Sequence, residues 1–228
     1  VFTQDPTVIE VKEGAAVNAT AKDIVIDTTK AKLELKGETG INAENGNVTL
    51  NGSTVINGTD AAINAGENAN VNVNGNNSAL TINGSINANG GNITVDSGNA
   101  SSTITGDINA ANGGSVVISL IEKNSVLNGG YNVDGNSSIA LSLANGATWN
   151  LTDGDEAAGM SLLRIAKAPA AAPAKGLTIN GGKTEAETGY LNMTKRSKAL
   201  QIADYSGWET IIYNHDNKGS EAQDFKSG

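Results

Sequence analysis

Cysteine, aromatic side chains and long apolar runs are scarce or missing in this chain of 228 residues. Without any cysteine, the chain can have neither a disulfide framework nor a thiolate metal site. No aromatic residue occurs between Thr3 and Gly130, so a core there must be built from Ile, Val, Leu and Ala. No apolar run approaches the ~20 residues of a membrane-spanning helix. The start, Val1–Gln4, lacks the pattern of a secretion signal, which predicts a mature or trimmed segment.

Basic residues are also scarce in the middle of the chain. The net charge is −9, and the stretch from Gly40 to Asn150 has seven acidic residues against a single basic one, Lys123. Such a surface would repel nucleic acid and an anionic bilayer. The composition therefore predicts no nucleic-acid partner and no direct membrane insertion by this segment.

What the chain does have is a repeat. The tripeptide Ile-Asn-Ala starts at Ile41, Ile63, Ile86 and Ile108, in steps of 22, 23 and 22 residues. A fixed period of this length is typical of stacked structural units. Two further series of alternating apolar and polar residues run in step with it. The second series comprises Val48–Leu50, Val71–Val73, Ile93–Val95 and Val117–Ile118, and the third comprises Val55–Ile56, Leu80–Ile82, Thr103–Ile104 and Val126–Leu127.

Three such segments per period predict three strands per coil, with alternate side chains facing inward. Gly and Asn between the segments supply the positive φ angles that corners need. The sequence thus predicts an all-β fold, a single-stranded right-handed parallel β-helix. Similar segments upstream and downstream extend it to about ten coils of 22–23 residues. Among them, Leu177–Gly181 repeats Leu80–Gly84 letter for letter, and Leu200–Ile202 follows 23 residues after Leu177.

We predict one domain over residues 1–228, interrupted once. The segment Ala166–Gly176 contains two prolines, which cannot donate to a central strand ladder. It is predicted to protrude as an Ala/Pro loop from a coil; a linker between two domains is the alternative. The coils after it, residues 177–228, carry more aromatic side chains, namely Tyr190, Tyr205, Trp208, Tyr213 and Phe225.

Asparagine recurs at one position of four successive coils, and it fills Asn42, Asn64, Asn87 and Asn109. Stacked carboxamides can hydrogen-bond along the coil axis, so we predict a structural ladder there. A polar stripe that binds sugars is the functional alternative. Eleven Asn-x-Ser/Thr sequons leave N-glycosylation open, although coils rich in these residues produce the pattern by chance.

No catalytic, cofactor-binding or metal-binding residue is predicted. The single histidine, His215, is not accompanied by a nucleophile elbow, and Gly129–Asp134 and Asp153–Glu156 are only weak candidates for calcium. The best enzymatic alternative is a polysaccharide lyase or glycosidase, which needs facing carboxylates. The middle coils, however, offer only Lys123 to neutralise an acidic sugar, and no aromatic platforms until Tyr131.

The coils Gly40–Leu50 and Gly84–Val95 resemble those of adhesin-type autotransporter passenger domains of the type V secretion pathway, which have a pectin-lyase-like β-helix. The resemblance extends over about Ala21 to Asn214. It implies an extracellular adhesin or stalk on a Gram-negative cell surface, anchored through an outer-membrane β-barrel that would follow residue 228. The implied partners are a glycan or protein on a host or bacterial cell, or a second copy of the chain. A trimeric fibre or tailspike protein is a further alternative.

Overall fold

The computed structural model describes residues 6–151, 162–166, 176–180, 189–193, 201–206, 208–215 and 223–226, with side chains described for residues 6–151 and for Leu177. Every regular element in these ranges is a β-strand. The strands of the first half are β1 (Thr7–Glu10), β2 (Ala15–Ala19), β3 (Ile24–Ala43), β4 (Asn47–Ala65), β5 (Asn70–Asn74), β6 (Leu80–Asn83), β7 (Ile86–Asn89), β8 (Asn92–Asp96), β9 (Thr103–Thr105) and β10 (Ile108–Ala111). The others are β11 (Ser115–Leu120), β12 (Val126–Gly129), β13 (Tyr131–Val133), β14 (Ser138–Leu143), β15 (Thr148–Leu151), β16 (Leu162–Ala166), β17 (Gly176–Asn180), β18 (Gly189–Met193), β19 (Gln201–Ser206), β20 (Trp208–His215) and β21 (Gln223–Lys226).

These strands form a parallel β-solenoid, which confirms the predicted fold class. Each coil contributes to three faces, and each face has a file of inward side chains stacked in register. The first face stacks Val17, Ile41, Ile63, Ile86, Ile108 and Tyr131. The second stacks Ile24, Val48, Val71, Ile93, Val116, Ile139 and Leu177. The third stacks Ile9, Leu35, Ile56, Ile82, Ile104, Leu127 and Trp149.

The core therefore consists of apolar side chains stacked on equivalent apolar side chains of the neighbouring coils. Ile63 and Ile86 on the first face, and Ile56 and Ile82 on the third, are completely buried. Their chain neighbours alternate between buried and outward positions, as in the pattern of Ile86–Asn89. Each inward side chain contacts the equivalent side chain of the next coil, so each coil covers apolar surface that the preceding coil would otherwise expose to water.

The solenoid has about six turns, so the prediction of about ten coils is wrong. The single-period repeat accounts for residues 6–151, where each strand pairs with the strand one period away. Beyond this range β16 pairs with both β17 and β19, so the order of strands in the sheet departs from their order in the chain. Extending the period of 22–23 residues along the whole chain overlooked this rearrangement. The right-handed winding stays a prediction.

In two of the first coils, all three predicted short strands are fused into one long strand. β3 and β4 each run through all three faces as one ladder of 20 and 19 residues. Their register shifts twice, between Thr28 and Leu33 and between Gly37 and Thr39. The chain therefore turns its corners here by local bulges inside a continuous ladder, not by leaving the sheet.

The corners confirm the predicted use of asparagine and glycine. Between the first and second faces, Asn45, Asn68 and Asn112 have φ of 57°, 61° and 55°, and Gly90 has φ of 82°. Asn tolerates this left-handed region because its short side chain bonds locally.

The repeated pentapeptide takes different places in its two copies. Leu80–Asn83 forms β6 on the third face, whereas Leu177 stacks on Ile139 of the second face. The predicted Ala/Pro loop lies outside the described residues, apart from the ends of β16 and β17 that flank it. The C-terminal aromatic side chains lie outside the described residues as well. β21 pairs antiparallel with β20, unlike every other described pair.

The sixth coil is the first described one to place aromatic rings in the core. Tyr131 takes the position of Ile108 one coil later, and Trp149 that of Leu127. Their rings meet edge to face, with centroids 5.8 Å apart and an interplanar angle of 64°. The indole Nε1 donates to the carbonyl of Gly129 at 3.0 Å, so the buried polar end of Trp149 has a partner.

Candidate functional site

The four predicted ladder asparagines lie in one file on the outside of the first face, together with Asn18 and Asn132; we call this file the first-face amide row. The side-chain amide of Asn87 donates a hydrogen bond to Asn64 at 2.8 Å, and that of Asn109 donates one to Asn87 at 2.7 Å. Asn132 continues the row on Asn109 at 2.9 Å. Asn42 donates separately to Asn18, at 3.0 Å. In the described part of this row, the side chains of Asn42 and Asn64 share no hydrogen bond.

The four predicted asparagines of the row are half-exposed on the outside of the solenoid, and their role as a structural ladder stays a prediction. The chain alternates at each strand, and because Ile86 and Ala88 face the core, Asn87 must face outward. A half-exposed carboxamide keeps contact with water on one side. The row therefore both links the coils and presents polar groups to solvent.

Two further amide rows were missed by the sequence analysis. On the second face, Asn70 donates to Asn47 at 2.7 Å, and Asn92 donates to Asn70 at 3.0 Å. On the third face, Asn83 donates to Asn57 and Asn150 to Asn128, both at 2.7 Å. The signal was available, because an Asn precedes the second-series strands at the same period. It was overlooked because only the Ile-Asn-Ala tripeptide was aligned residue by residue.

Two of the rows end on a carboxylate at their N-terminal side. Asp23 accepts from the amide of Asn47 at 2.9 Å and from its backbone N–H at 3.1 Å. Glu34 accepts from the amide of Asn57 at 3.4 Å. An ionised carboxylate only accepts hydrogen bonds, so it forces the adjoining amide to present its nitrogen. Each later amide then repeats that orientation, and the second-face row becomes one polarised chain.

Removing the central amide of the first-face row is expected to weaken the fold. Asn87 donates to Asn64 and to the Ser85 hydroxyl, and it accepts from Asn109. With a net contribution of about 0.5–1.5 kcal/mol for each bond, Asn87→Ala should lose about 1–2 kcal/mol. Asn87→Asp should lose more at pH 7, because its oxygen would face the carboxamide oxygen of Asn64. Urea unfolding followed by circular dichroism measures both losses.

Asn51→Ala is the matched control for this prediction. Asn51 is outward and half-exposed, and the structure records no hydrogen bond for its side chain. Its replacement should change the free energy of unfolding by less than about 0.5 kcal/mol. An equal loss in the free energy of unfolding for Asn51→Ala and Asn87→Ala would show that the hydrogen bonds between the side-chain amides do not stabilise the fold.

One groove of about 460 Å³ lies near the N-terminal end, where the third face turns into the first. Its lining includes Glu10, Lys12, Lys36 and Glu38, with Asn57 and Asn83 of the third-face row. Part of this charge is already paired: Lys36 Nζ lies 3.2 Å from Glu34, and Glu38 accepts from the N–H of Gly14 at 2.9 Å. The groove brings carboxylates and ammonium groups together and is where the enzymatic alternative would be sought.

Of the calcium and histidine candidates, only Gly129–Asp134 lies among the residues whose side chains the structure describes. In Gly129–Asp134, the Asp134 carboxylate accepts from the backbone N–H groups of Asn112 at 2.7 Å and Asn136 at 2.9 Å. Hydrogen bonds from Ser137 first, and then from Asn112, lower the pKa of Asp134 below its usual value. This carboxylate thus holds a corner together. The segment Asp153–Glu156 lies outside the described residues, and so does the side chain of His215 in β20.

Comparison with known proteins gives no assignment. No family model matches the chain, and no curated protein or solved structure matches it either. Among the described residues, no group of three or more His, Asp or Glu side chains could hold a metal ion. No helix in that part of the chain is long and apolar enough to cross a membrane.

Proposed function

We propose that this chain is a segment of a rod on the surface of a Gram-negative bacterium, where it acts as an adhesin or as the stalk of one. The single observation that carries the proposal is the unbroken stacking of about six coils, each paired in register with the next. Such a solenoid extends by about 4.8 Å per coil and offers long, repetitive sides. Repetition on a rigid support suits attachment through many weak contacts.

The resemblance of the coils to autotransporter passenger domains supports the extracellular location. It favours a passenger segment that acts without catalysis and binds a glycan or protein on another cell, or a second copy of itself. The charge supports the choice of partner, because seven acidic residues and one lysine between Gly40 and Asn150 disfavour polyanions such as nucleic acid.

Surface display tests this function. The chain would be fused to an outer-membrane anchor on a non-adherent bacterium, and attachment to epithelial cells and clumping would be counted. We expect attachment or clumping above that of cells that display the anchor alone. The purified chain should sediment as a monomer. A trimeric particle, or display without any gain in attachment or clumping, would contradict the proposal.

The groove at Glu10, Lys12, Lys36 and Glu38 favours a second candidate, a polysaccharide-cleaving enzyme. Two carboxylates could act as acid and base, and the lysines could neutralise an acidic sugar. Incubation with acidic polysaccharides, while reducing ends and unsaturated products are followed, separates the two candidates. Sustained turnover that is lost in Glu10→Gln would favour the enzyme over the adhesin.

A further inference from the structure

The outer side of the second face differs from the other two faces in having three parallel rows of small polar side chains. We define the amide face as these twelve positions in four successive coils. Its first row is Asn47, Asn70, Asn92 and Ser115; its second is Thr49, Asn72, Thr94 and Val117; its third is Asn51, Asn74, Asp96 and Ser119. We propose that the amide face binds an uncharged polysaccharide that lies along the rod. This inference rests on the proposed adhesive function and names its ligand class.

The first row is held rigid by its own hydrogen bonds. Asn47, Asn70 and Asn92 each donate to the preceding coil, and the chain of bonds ends on the carboxylate of Asp23. A carboxamide has two N–H groups, and the bond along the row uses one of them. The second N–H of each carboxamide stays available to a ligand, whereas the Asn47 oxygen is already filled because it also accepts from the backbone N–H of Asn70 at 3.1 Å. Because the bonds fix their direction, binding does not have to order these side chains.

The second row has hydrogen-bonding capacity that the fold does not use. The structure records no hydrogen bond for the side chains of Thr49, Asn72 or Thr94, which stack directly on one another. Asn72 is exposed, and the two threonines are half-exposed. A donor and an acceptor therefore recur in three successive coils, about 4.8 Å apart, and Val117 ends the series in the fourth. A pyranose ring is about as wide as this spacing, so successive sugars can meet equivalent groups.

The charge of the amide face selects a neutral ligand. Asp96 is its only ionisable residue, and the Asp96 carboxylate already accepts from the N–H of Gly98 at 2.8 Å. With no lysine or arginine among the twelve positions, an acidic polysaccharide would find no partner for its charges. A protein partner would need an apolar or aromatic anchor, and Val117 is the only large apolar side chain there. The hydroxyl groups of a neutral sugar can hydrogen-bond to carboxamides and hydroxyls and bring no charge that would need an ionic partner.

The lack of aromatic platforms on this face gives a second, independent expectation. Without ring stacking, each sugar contributes little, so affinity must accumulate over several coils. Binding should therefore be weak for a disaccharide and should strengthen with the length of the polysaccharide.

Affinity electrophoresis of the purified chain in gels containing laminarin, mannan or dextran tests the proposal. Polygalacturonate and heparin serve as charged controls. We expect at least one neutral polysaccharide to retard the chain, and short oligosaccharides of it to compete poorly. Asn72→Glu, which would place a carboxylate in the middle of the ligand path, should weaken this retardation about tenfold.

Thr103→Glu is the matched control, because Thr103 is an exposed central position on the third face and receives the same charge. It should retain parental retardation, and both variants should keep the parental unfolding midpoint. Retardation by none of the three neutral polysaccharides, retardation by the acidic ones alone, or equal loss in both variants would overturn the proposal. An Asn72→Glu effect on self-association without one on retardation would assign the face to a second copy instead. Attachment in the display assay that survives Asn72→Glu would overturn this inference and leave the adhesive function standing.

Discussion

Replacing Gly106 with alanine should cost the fold about 3 kcal/mol, or enough to prevent folding. Gly106 has φ of 146°, in the region that side chains rarely enter. A Cβ there would lie 2.2 Å from the carbonyl oxygen of Gly84 and 2.5 Å from its carbon, and both atoms belong to the backbone of the preceding coil. The coils can relieve this contact only by moving apart, which weakens the strand pairing on both sides.

Gly135→Ala controls for the loss of a glycine as such. Gly135 has no positive φ, and a Cβ added to it would meet nothing within 4 Å. Its replacement should leave stability unchanged or raise it by up to about 1 kcal/mol, because alanine restricts the unfolded chain. Thermal and urea unfolding followed by circular dichroism compares the two variants. Equal midpoints for Gly106→Ala and Gly135→Ala would contradict the close stacking of the corners.

Removal of the indole of Trp149 should have an effect of similar size. The side chain is completely buried and packs edge to face on Tyr131. Trp149→Ala would leave a cavity between two coils and should cost about 3–5 kcal/mol. Trp149→Phe would keep most of the packing but would lose the bond to the Gly129 carbonyl, at a cost of about 1–3 kcal/mol.

The order of the two variants is the decisive measurement. Urea unfolding should rank the parent above Trp149→Phe, and Trp149→Phe above Trp149→Ala. Near-ultraviolet circular dichroism should also lose the signal of the packed ring pair in both variants. If both were as stable as the parent, Trp149 would have to lie outside the core, and the register of the third face would be wrong.

Much of the fold could be predicted because the repeat carries its own register. Ile41, Ile63, Ile86 and Ile108 align in the sequence, and the same residues stack in the structure. The alternation at each strand then decides which side chains face inward. Corners were predictable for the same local reason, since Asn and Gly are the residues that adopt positive φ.

The candidate site was only partly predictable. The first-face amide row could be identified from the tripeptide, and the alternation places it on the outside of the coil. Which of its members bond could not be predicted, because the structure describes Asn42 and Asn64 in register but records no side-chain hydrogen bond between them. The Asp23 carboxylate that orients the second-face row takes the position of Asn47 one coil earlier. Its role depends on which strand lies beside it.

The period, the inward residues and the corner positions all follow from the amino-acid order, since each is a local preference repeated at a constant step. The tertiary structure alone decided that Leu80–Asn83 and the same four residues from Leu177 lie on different faces. It also decided that β16 stacks between β17 and β19. The physical reason is that any strand with alternating apolar residues fits any face of such a core, so its place depends on the neighbouring strand and the length of the preceding connection.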